Sequence, residues 1–221
     1  MDLVRSAVFN DFINQGRIRS YQPKAVLISA GEHSEELFYL LRGSVSVLIE
    51  DDGGHEIVLA YLNAGDFFGE IGMFDERHER SAWVAARTDV EVAQMSYEEI
   101  RELAVDSPEI VLAMLSQMAN RLQRTNRQVG DLAYTDTSGR VARALIELCE
   151  QPDAKAHEDG TLVRITRQEL GRLAGCSREM ASRVLHTLAD QNVVAIDGRD
   201  ILVLGHFRTA ESREAVLASD V

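Results

Sequence analysis

Short apolar runs, separated by turn residues, fill the first half of the chain. Four of these runs are predicted to form strands, at residues 25–28, 37–41, 44–49 and 56–61. Glycine, asparagine and aspartate occur between them, and the Asp-Gly-Gly sequence at 52–54 is a good hairpin signal. Strands at this spacing predict a sandwich or a barrel-like roll, which encloses a concave interior.

From residue 107 the apolar residues recur at the longer spacing of a helix. Ser107 and Pro108 have the sequence of a helix N-terminus, with a capping serine followed by proline. A heptad seam then runs along the helix through Val111, Leu115, Met118, Leu122, Thr125, Val129 and Leu132. A seam of this length predicts a helix that pairs with its own copy, and we expect a parallel homodimer through residues 107–134. The alternative is a stripe that packs only on the strand domain.

Two capped helices are predicted near the C-terminus. Thr166 and Glu169 form a capping-box sequence, and the helix that follows should end near Ala174. Gly175 permits a left-handed turn, and Ser177 caps a second helix over residues 178–189. A strand pair at 193–196 and 201–204 completes the pattern of a winged helix-turn-helix. Before it, residues 131–139 interrupt the helical period, and we expect a hinge there and a helix over 140–150.

The second of these helices carries charges suited to reading DNA bases. Arginine pairs bidentately with guanine, and glutamate accepts a hydrogen bond from cytosine. Arg178, Glu179 and Arg183 share one helical face, so we expect base readout by this face. The alternative is a solvated, salt-bridged face. The other candidates for DNA contact, chiefly to phosphates, are Thr166, Arg167, Gln168, Ser177, His186 and Arg199.

A second kind of chemistry is concentrated between residues 69 and 83. Gly69 and Gly72 allow the backbone to approach a ligand closely at the start of a short helix, which attracts anions. Arg80 can neutralise a buried phosphate, and Ser81 can add a hydroxyl donor. Glu70 can accept hydrogen bonds from ribose hydroxyls. The segment therefore predicts a nucleotide ligand that is both an anion and a sugar.

These motifs resemble the cyclic AMP receptor protein (catabolite activator) family. The resemblance runs from about Phe12 to Gly205 and is carried by the segments 65–70, 80–83, 167–169 and 175–179. It implies an α+β fold with a cyclic-nucleotide-binding β-roll at 1–106, a dimerisation helix at 107–134 and a winged helix-turn-helix at 135–205. Residues 206–221 remain a tail without an assigned role.

The resemblance also implies a ligand and its site. Cyclic AMP is the expected allosteric ligand, with no metal or haem. Thr125 and Asn126 would sense the base, Asn126 from the partner subunit. The full set of implied nucleotide-binding residues is Val47, Leu59, Ala60, Gly69, Glu70, Ile71, Gly72, Arg80, Ser81, Thr125 and Asn126.

Other ligands and another class of function stay open at this point. The same DNA-binding role could respond to cyclic GMP, to a cyclic dinucleotide or to no ligand. An enzyme that hydrolyses cyclic nucleotides would need a metal cluster or an activated nucleophile. The six histidines show no metal-ligand spacing, so we expect a protein that is not an enzyme.

Charge and composition limit the partners. The net charge is −13, and residues 1–106 carry 9 basic against 20 acidic side chains, while residues 161–205 carry 6 against 5. We therefore expect weak nonspecific binding to duplex DNA, with a two-fold symmetric site recognised through a local arginine surface. RNA polymerase is a further expected partner, by resemblance through the loop 157–160. No apolar run approaches the roughly 20 residues that span a bilayer, and we expect a cytoplasmic protein without membrane contacts.

Overall fold

The computed structural model describes residues 2–51, 53–54, 56–75 and 77–205. The chain divides into two compact units, Met1–Thr125 and Asn126–Val221. The predicted roll lies within the first unit and the predicted DNA-binding domain within the second. The predicted tail, residues 206–221, lies outside the described residues. Among the residues described, no helix combines the length and apolarity needed to cross a membrane.

The first unit contains antiparallel strands flanked by helices, which confirms the predicted roll. Its elements are, in chain order, α1 (Asp2–Gln15), β1 (Arg17–Tyr21), β2 (Val26–Ile28), β3 (Glu36–Arg42), β4 (Ser44–Glu50), β5 (Glu56–Asn63), β6 (Phe67–Phe68), α2 (Ile71–Phe74), β7 (Trp83–Ala86), β8 (Val90–Ser96), α3 (Tyr97–Asp106) and most of α4 (Glu109–Tyr134). The strands form two four-stranded sheets, in the orders β1-β8-β3-β6 and β2-β7-β4-β5.

Two hydrophobic clusters hold this unit together. One lies between the sheets and includes Phe38, Leu40 and Val92. The other joins α1, α3 and α4 to the first sheet, and there Phe12 and Tyr39 have ring centroids 6.0 Å apart. Because β3 contributes side chains to both clusters, residues Leu37 to Leu40 are all buried. The sheets therefore form a fixed platform for the segment that follows β6.

The helix α4 has two faces with different surroundings. Ile110 and Met114 are buried in the core of the first unit. The predicted seam lies on another face and is exposed, with Leu122 62% accessible and Val129 59% accessible. These two side chains do not pack on the strand domain, as the alternative interpretation of the stripe would require.

The second unit contains the predicted helix-turn-helix. Its elements after α4 are α5 (Thr137–Cys149), β9 (Lys155–His157), β10 (Gly160–Arg164), α6 (Arg167–Ala174), α7 (Arg178–Asp190), β11 (Val194–Asp197) and β12 (Asp200–Leu204). The strands form one antiparallel sheet in the order β11-β12-β10-β9. Gly175 adopts the left-handed conformation with φ 60° between α6 and α7, as its place in the turn requires.

One boundary differs from the sequence prediction. We expected a hinge over residues 131–139 and a helix from residue 140, but α4 continues to Tyr134 and α5 already begins at Thr137. The reason is local, because the Asp136 carboxylate accepts a hydrogen bond from Gly139 N–H over 2.8 Å. Asp136 is thus an N-cap, which stabilises the first turn in spite of its serine and glycine.

Candidate nucleotide and DNA sites

Arg80 lies buried beside the short helix α2, with only 6% of its surface exposed. Its Nη1 donates to Gly69 O over 2.8 Å and to the Tyr97 hydroxyl over 3.0 Å. Its Nη2 donates to Ser34 Oγ over 2.7 Å and to Glu36 O over 2.6 Å. Among the described residues these acceptors are all neutral oxygens. A buried cation without a carboxylate partner is unfavourable, and a bound anion would compensate it.

The two glycines leave no room for side chains at this point. A Cβ at Gly69, where φ is +86°, would lie 2.7 Å from Arg80 Nη1. A Cβ at Gly72 would lie 2.7 Å from the Tyr97 hydroxyl. The backbone therefore approaches the guanidinium and the phenol directly. Since α2 contains only 4 residues, its dipole is small and Arg80 provides the main positive charge.

Tyr97 fixes the carbonyl of Gly69 through a hydrogen bond. Its hydroxyl donates to Gly69 O over 2.6 Å while accepting from Arg80. Burial raises the pKa of Tyr97 above its ordinary value, so the side chain stays a neutral phenol and keeps its donor. Sequence reasoning missed this residue because β8 and α3, and not a nearby motif, bring it to Arg80.

Glu70 is buried and paired with an arginine of α4. Its Oε1 lies 2.9 Å from Arg121 Nη1, and Arg121 also donates to Phe67 O. Gln117, one turn earlier, accepts from Phe67 N–H over 2.9 Å and donates to Gly65 O over 2.8 Å. The helix α4 therefore holds the backbone before α2 at both ends of segment 65–70.

Gln117 and Arg121 were not predicted as site residues, although the sequence contains a signal for them. They follow Ile110 and Met114 at helical spacing, on the buried face of α4. Polar side chains that continue a buried stripe indicate a polar partner underneath. The heptad pattern predicted contacts only for the other, seam-bearing face of α4.

The remaining predicted nucleotide residues occupy several elements. Val47 and Ala60 are direct cross-strand neighbours and pack against the core between the sheets. A register shift leaves Leu59 opposite no residue of β4, at a β-bulge. Ile71 and Ser81 are exposed beside the glycines and Arg80. Thr125 and Asn126 are exposed on α4, beginning one turn after Arg121.

We call Gly69, Glu70, Gly72, Arg80 and Ser81 the phosphate cradle. It combines a buried guanidinium, closely approaching backbone and a carboxylate with one oxygen bound to Arg121. A single negative charge would complete the electrostatics of Arg80, and the second oxygen of Glu70 can accept from a hydroxyl. This donor set fits a cyclic phosphate joined to a ribose.

The helix-turn-helix presents its charged side chains to solvent. Ser177 caps α7, accepting from Met180 N–H over 3.2 Å, and Thr166 caps α6, accepting from Glu169 N–H over 3.1 Å. Among the predicted DNA-contact residues on or between these helices, the exposed ones are Gln168, Ser177, Arg178, Glu179, Arg183 and His186. The predicted reading face is therefore accessible along α7.

Arg167 and Arg199 both take part in bonds that attach the wing to the start of α6. The Arg167 guanidinium donates to Gly198 O in the turn between β11 and β12. Arg199 is exposed in the same turn, and its carbonyl accepts from Ile165 N–H over 2.9 Å. Arg167 thus fixes the wing to the start of α6 in addition to any contact with phosphate.

Arg140 links α5 to both neighbouring helices. Its Nε donates to Ala174 O at the end of α6, and its Nη1 donates to Thr135 O after α4, each over 2.9 Å. Arg143 pairs with Asp131 in the last turns of α4. These bonds cross the segment where we expected a hinge.

Two family models match this chain. The cyclic nucleotide-binding domain matches residues 18–107, and the Crp-like helix-turn-helix domain matches residues 139–206. The first match contains the phosphate cradle and the second contains α6, α7 and the wing.

Named relatives match over most of their length. The chain is 52% identical over 190 residues to the cAMP-activated global transcriptional regulator Vfr of Pseudomonas aeruginosa, covering 85% of this chain and 89% of that protein. It is 49% identical over 194 residues to the cAMP-activated global transcriptional regulator CRP of Salmonella typhimurium, covering 88% and 92%. A solved structure of the c-di-GMP responsive global regulator CLP of Xanthomonas campestris has a TM-score of 0.85 and 36% identity, covering 90% of this chain and 99% of that one.

Proposed function

Because the chain belongs to the family of cAMP-activated global transcriptional regulators that includes CRP and Vfr, we propose that cyclic AMP binds its phosphate cradle and promotes sequence-specific DNA binding by a homodimer. The observation that carries the ligand assignment is Arg80, a buried cation with neutral acceptors only among the described residues. A cyclic phosphate supplies the missing charge without adding a second one.

The neighbouring residues would hold the rest of the nucleotide. The Ser34 hydroxyl would rotate away to admit a phosphate oxygen, because Gly69 O and Glu36 O belong to the main chain and the Tyr97 hydroxyl is held by Gly69 O. Ser81 would add a hydroxyl donor, and the free oxygen of Glu70 would accept from the ribose. Val47, Leu59 and Ala60 would line the roll beside the sugar. Thr125, together with Asn126 of the partner subunit, would contact adenine.

Calorimetric titration with cyclic AMP tests this assignment. Arg80→Leu should abolish binding, because it removes the charge that pairs with the phosphate. Arg77→Leu is the matched control, since Arg77 is exposed three residues earlier in the same loop. Circular dichroism would establish that both variants fold. Wild-type affinity in Arg80→Leu, or a parallel loss in Arg77→Leu, would refute the role of Arg80.

A cyclic dinucleotide is the second candidate ligand. The observation in its favour is the similarity to the c-di-GMP responsive regulator CLP. The relatives described as cAMP-activated are more similar in sequence, at 52% and 49% identity, and they favour the mononucleotide. Parallel titrations with cyclic AMP, cyclic GMP and c-di-GMP separate the candidates. Binding of c-di-GMP alone would replace our proposal, and appearance of a hydrolysis product would indicate an enzyme.

The homodimer is proposed from the exposed seam of α4. Leu115, Leu122 and Val129 are each more than half accessible, although leucine and valine at heptad spacing favour burial. A second copy of the helix would cover them. Two α7 helices placed one DNA turn apart, about 34 Å, would then read a two-fold symmetric site.

Ligand binding would select the arrangement of the dimer that fits DNA. Contacts of the nucleotide with both the cradle and α4 would favour one pairing of the two helices over another. Fluorescence anisotropy with a labelled operator, with and without cyclic AMP, measures this coupling. RNA polymerase is a further proposed partner through the tip of the β9–β10 hairpin. A cytoplasmic location is part of the same proposal, because the proposed role requires access to DNA.

A further inference from the structure

His78 occupies an unusual position next to the phosphate cradle. Its backbone lies in the left-handed region with φ 50°, which is uncommon for a residue other than glycine. Its N–H donates to Asp75 O over 3.0 Å, and its carbonyl accepts from Ser34 N–H over 3.1 Å. The loop therefore fixes His78 from both sides.

The imidazole of His78 is bound to the cradle through Gly72. Its Nδ1 lies 2.6 Å from Gly72 O. Because a carbonyl oxygen only accepts, Nδ1 carries a hydrogen in both the neutral and the charged ring, and the second proton binds at Nε2. Protonation at Nε2 would therefore add a positive charge beside the cradle without breaking this hydrogen bond.

Two titratable side chains lie against this ring. The ring of His33 contacts it edge-on with centroids 5.8 Å apart, and the ring of Tyr97 lies 5.9 Å away. The Tyr97 hydroxyl in turn accepts from Arg80. Charged side chains in the same loop as His78 are those of Arg77, of Asp75, whose carboxylate accepts from Arg77 N–H over 3.3 Å, and of Glu79, whose main chain pairs with His33 in a β-bridge.

We propose that His78 is a positioning residue that makes nucleotide binding at the phosphate cradle pH-dependent, with tighter binding when its imidazole is protonated. An imidazolium at this position and the Arg80 guanidinium repel each other, and one anion in the cradle compensates both. The proton and the anion therefore promote each other's binding reciprocally. This inference rests on the proposed function, because it requires a phosphate beside Arg80.

Calorimetry on the full-length protein tests the coupling. Cyclic AMP is titrated at about pH 6 and about pH 8, in buffers of different ionisation enthalpy. We expect roughly three- to ten-fold tighter binding at the lower pH, with net proton uptake. His78→Gln, whose amide can still donate to Gly72 O, should show a flat pH profile and no uptake. His33→Gln is the matched control and should retain the dependence.

Each outcome decides between these possibilities. A wild-type affinity that does not change with pH overturns the role of His78, whether or not His78→Gln folds. So does a wild-type pH profile in His78→Gln, or a flat profile in His33→Gln. The absence of cyclic AMP binding by the wild-type protein at both pH values would refute the proposed function instead.

Discussion

Glu70 and Arg121 lie 51 residues apart in the chain, yet their side chains form an ion pair with 2.9 Å between Oε1 and Nη1. The pair joins the phosphate cradle to α4, the helix that also presents the exposed seam. A group that binds Glu70 therefore acts on a residue already connected to the helix through which we propose dimerisation. This connection offers a short route from ligand to subunit contact.

Removing one member of this pair should destabilise the protein. Glu70→Gln or Arg121→Met leaves the other charge largely buried, and we expect the free energy of unfolding to fall by about 1–3 kcal/mol. The double variant should lose less than the sum, because neither charge remains. Urea unfolding at one fixed protein concentration measures all four proteins. Strictly additive losses would show that the two side chains do not interact.

A charge in the seam should prevent dimerisation. Leu122→Glu places a carboxylate at a position where two helices would bury leucine, and we expect monomers in sedimentation velocity at micromolar concentration. Asn120→Glu is the control, because Asn120 is exposed on the same helix outside the heptad seam. Dimers in both variants would place the subunit contact elsewhere.

Arg178 should determine one base of the operator. Arg178→Ala removes a bidentate donor, and we expect binding to the preferred site to weaken by about 1–3 kcal/mol, with relaxed preference at one guanine. Anisotropy titrations against operators substituted at each position measure this effect. Arg164→Ala, on β10, changes charge equally and should leave the preference intact. A uniform loss across all operators would identify Arg178 as a phosphate contact.

The capping box of α3 should give an acid-sensitive contribution to stability. Hydrogen bonds from the Ser96 N–H and hydroxyl, each 2.7 Å, lower the pKa of Glu99 below its ordinary value. Because the folded pKa is depressed, the stabilisation is present at neutral pH and disappears as the pH falls through the folded value. Glu99→Gln should therefore lower the urea midpoint near neutrality but match wild type in acid. Glu98→Gln, exposed in the same turn, is the control.

The local motifs of this chain were predictable because their residues are close in sequence. The turn glycine Gly175 and the caps Thr166 and Ser177 lie where the pattern placed them. Asp136 was harder to interpret, because a serine and a glycine after it suggested a break. Its side chain satisfies the exposed N–H groups and allows α5 to begin earlier than expected.

The partners of Arg80 could not be predicted in the same way. Ser34 is 46 residues away and Tyr97 is 17 residues away. The main-chain bridge between His33 and Glu79 brings Ser34 to the guanidinium, and β8 leads directly into Tyr97. Neither residue belongs to a sequence motif that would predict a hydrogen bond to Arg80. The charged group of the site was thus evident from the sequence, whereas its neutral surroundings depend on the sheet.

Arg140 has a consequence for how movement could reach DNA. Its bonds to Thr135 and Ala174, together with the pair between Arg143 and Asp131, hold the end of α4, the start of α5 and the end of α6 together. Independent swivelling about Asp136 would have to break all of these at once. A change in twist between two paired α4 helices would instead turn each α7 directly, altering its angle of approach to the major groove.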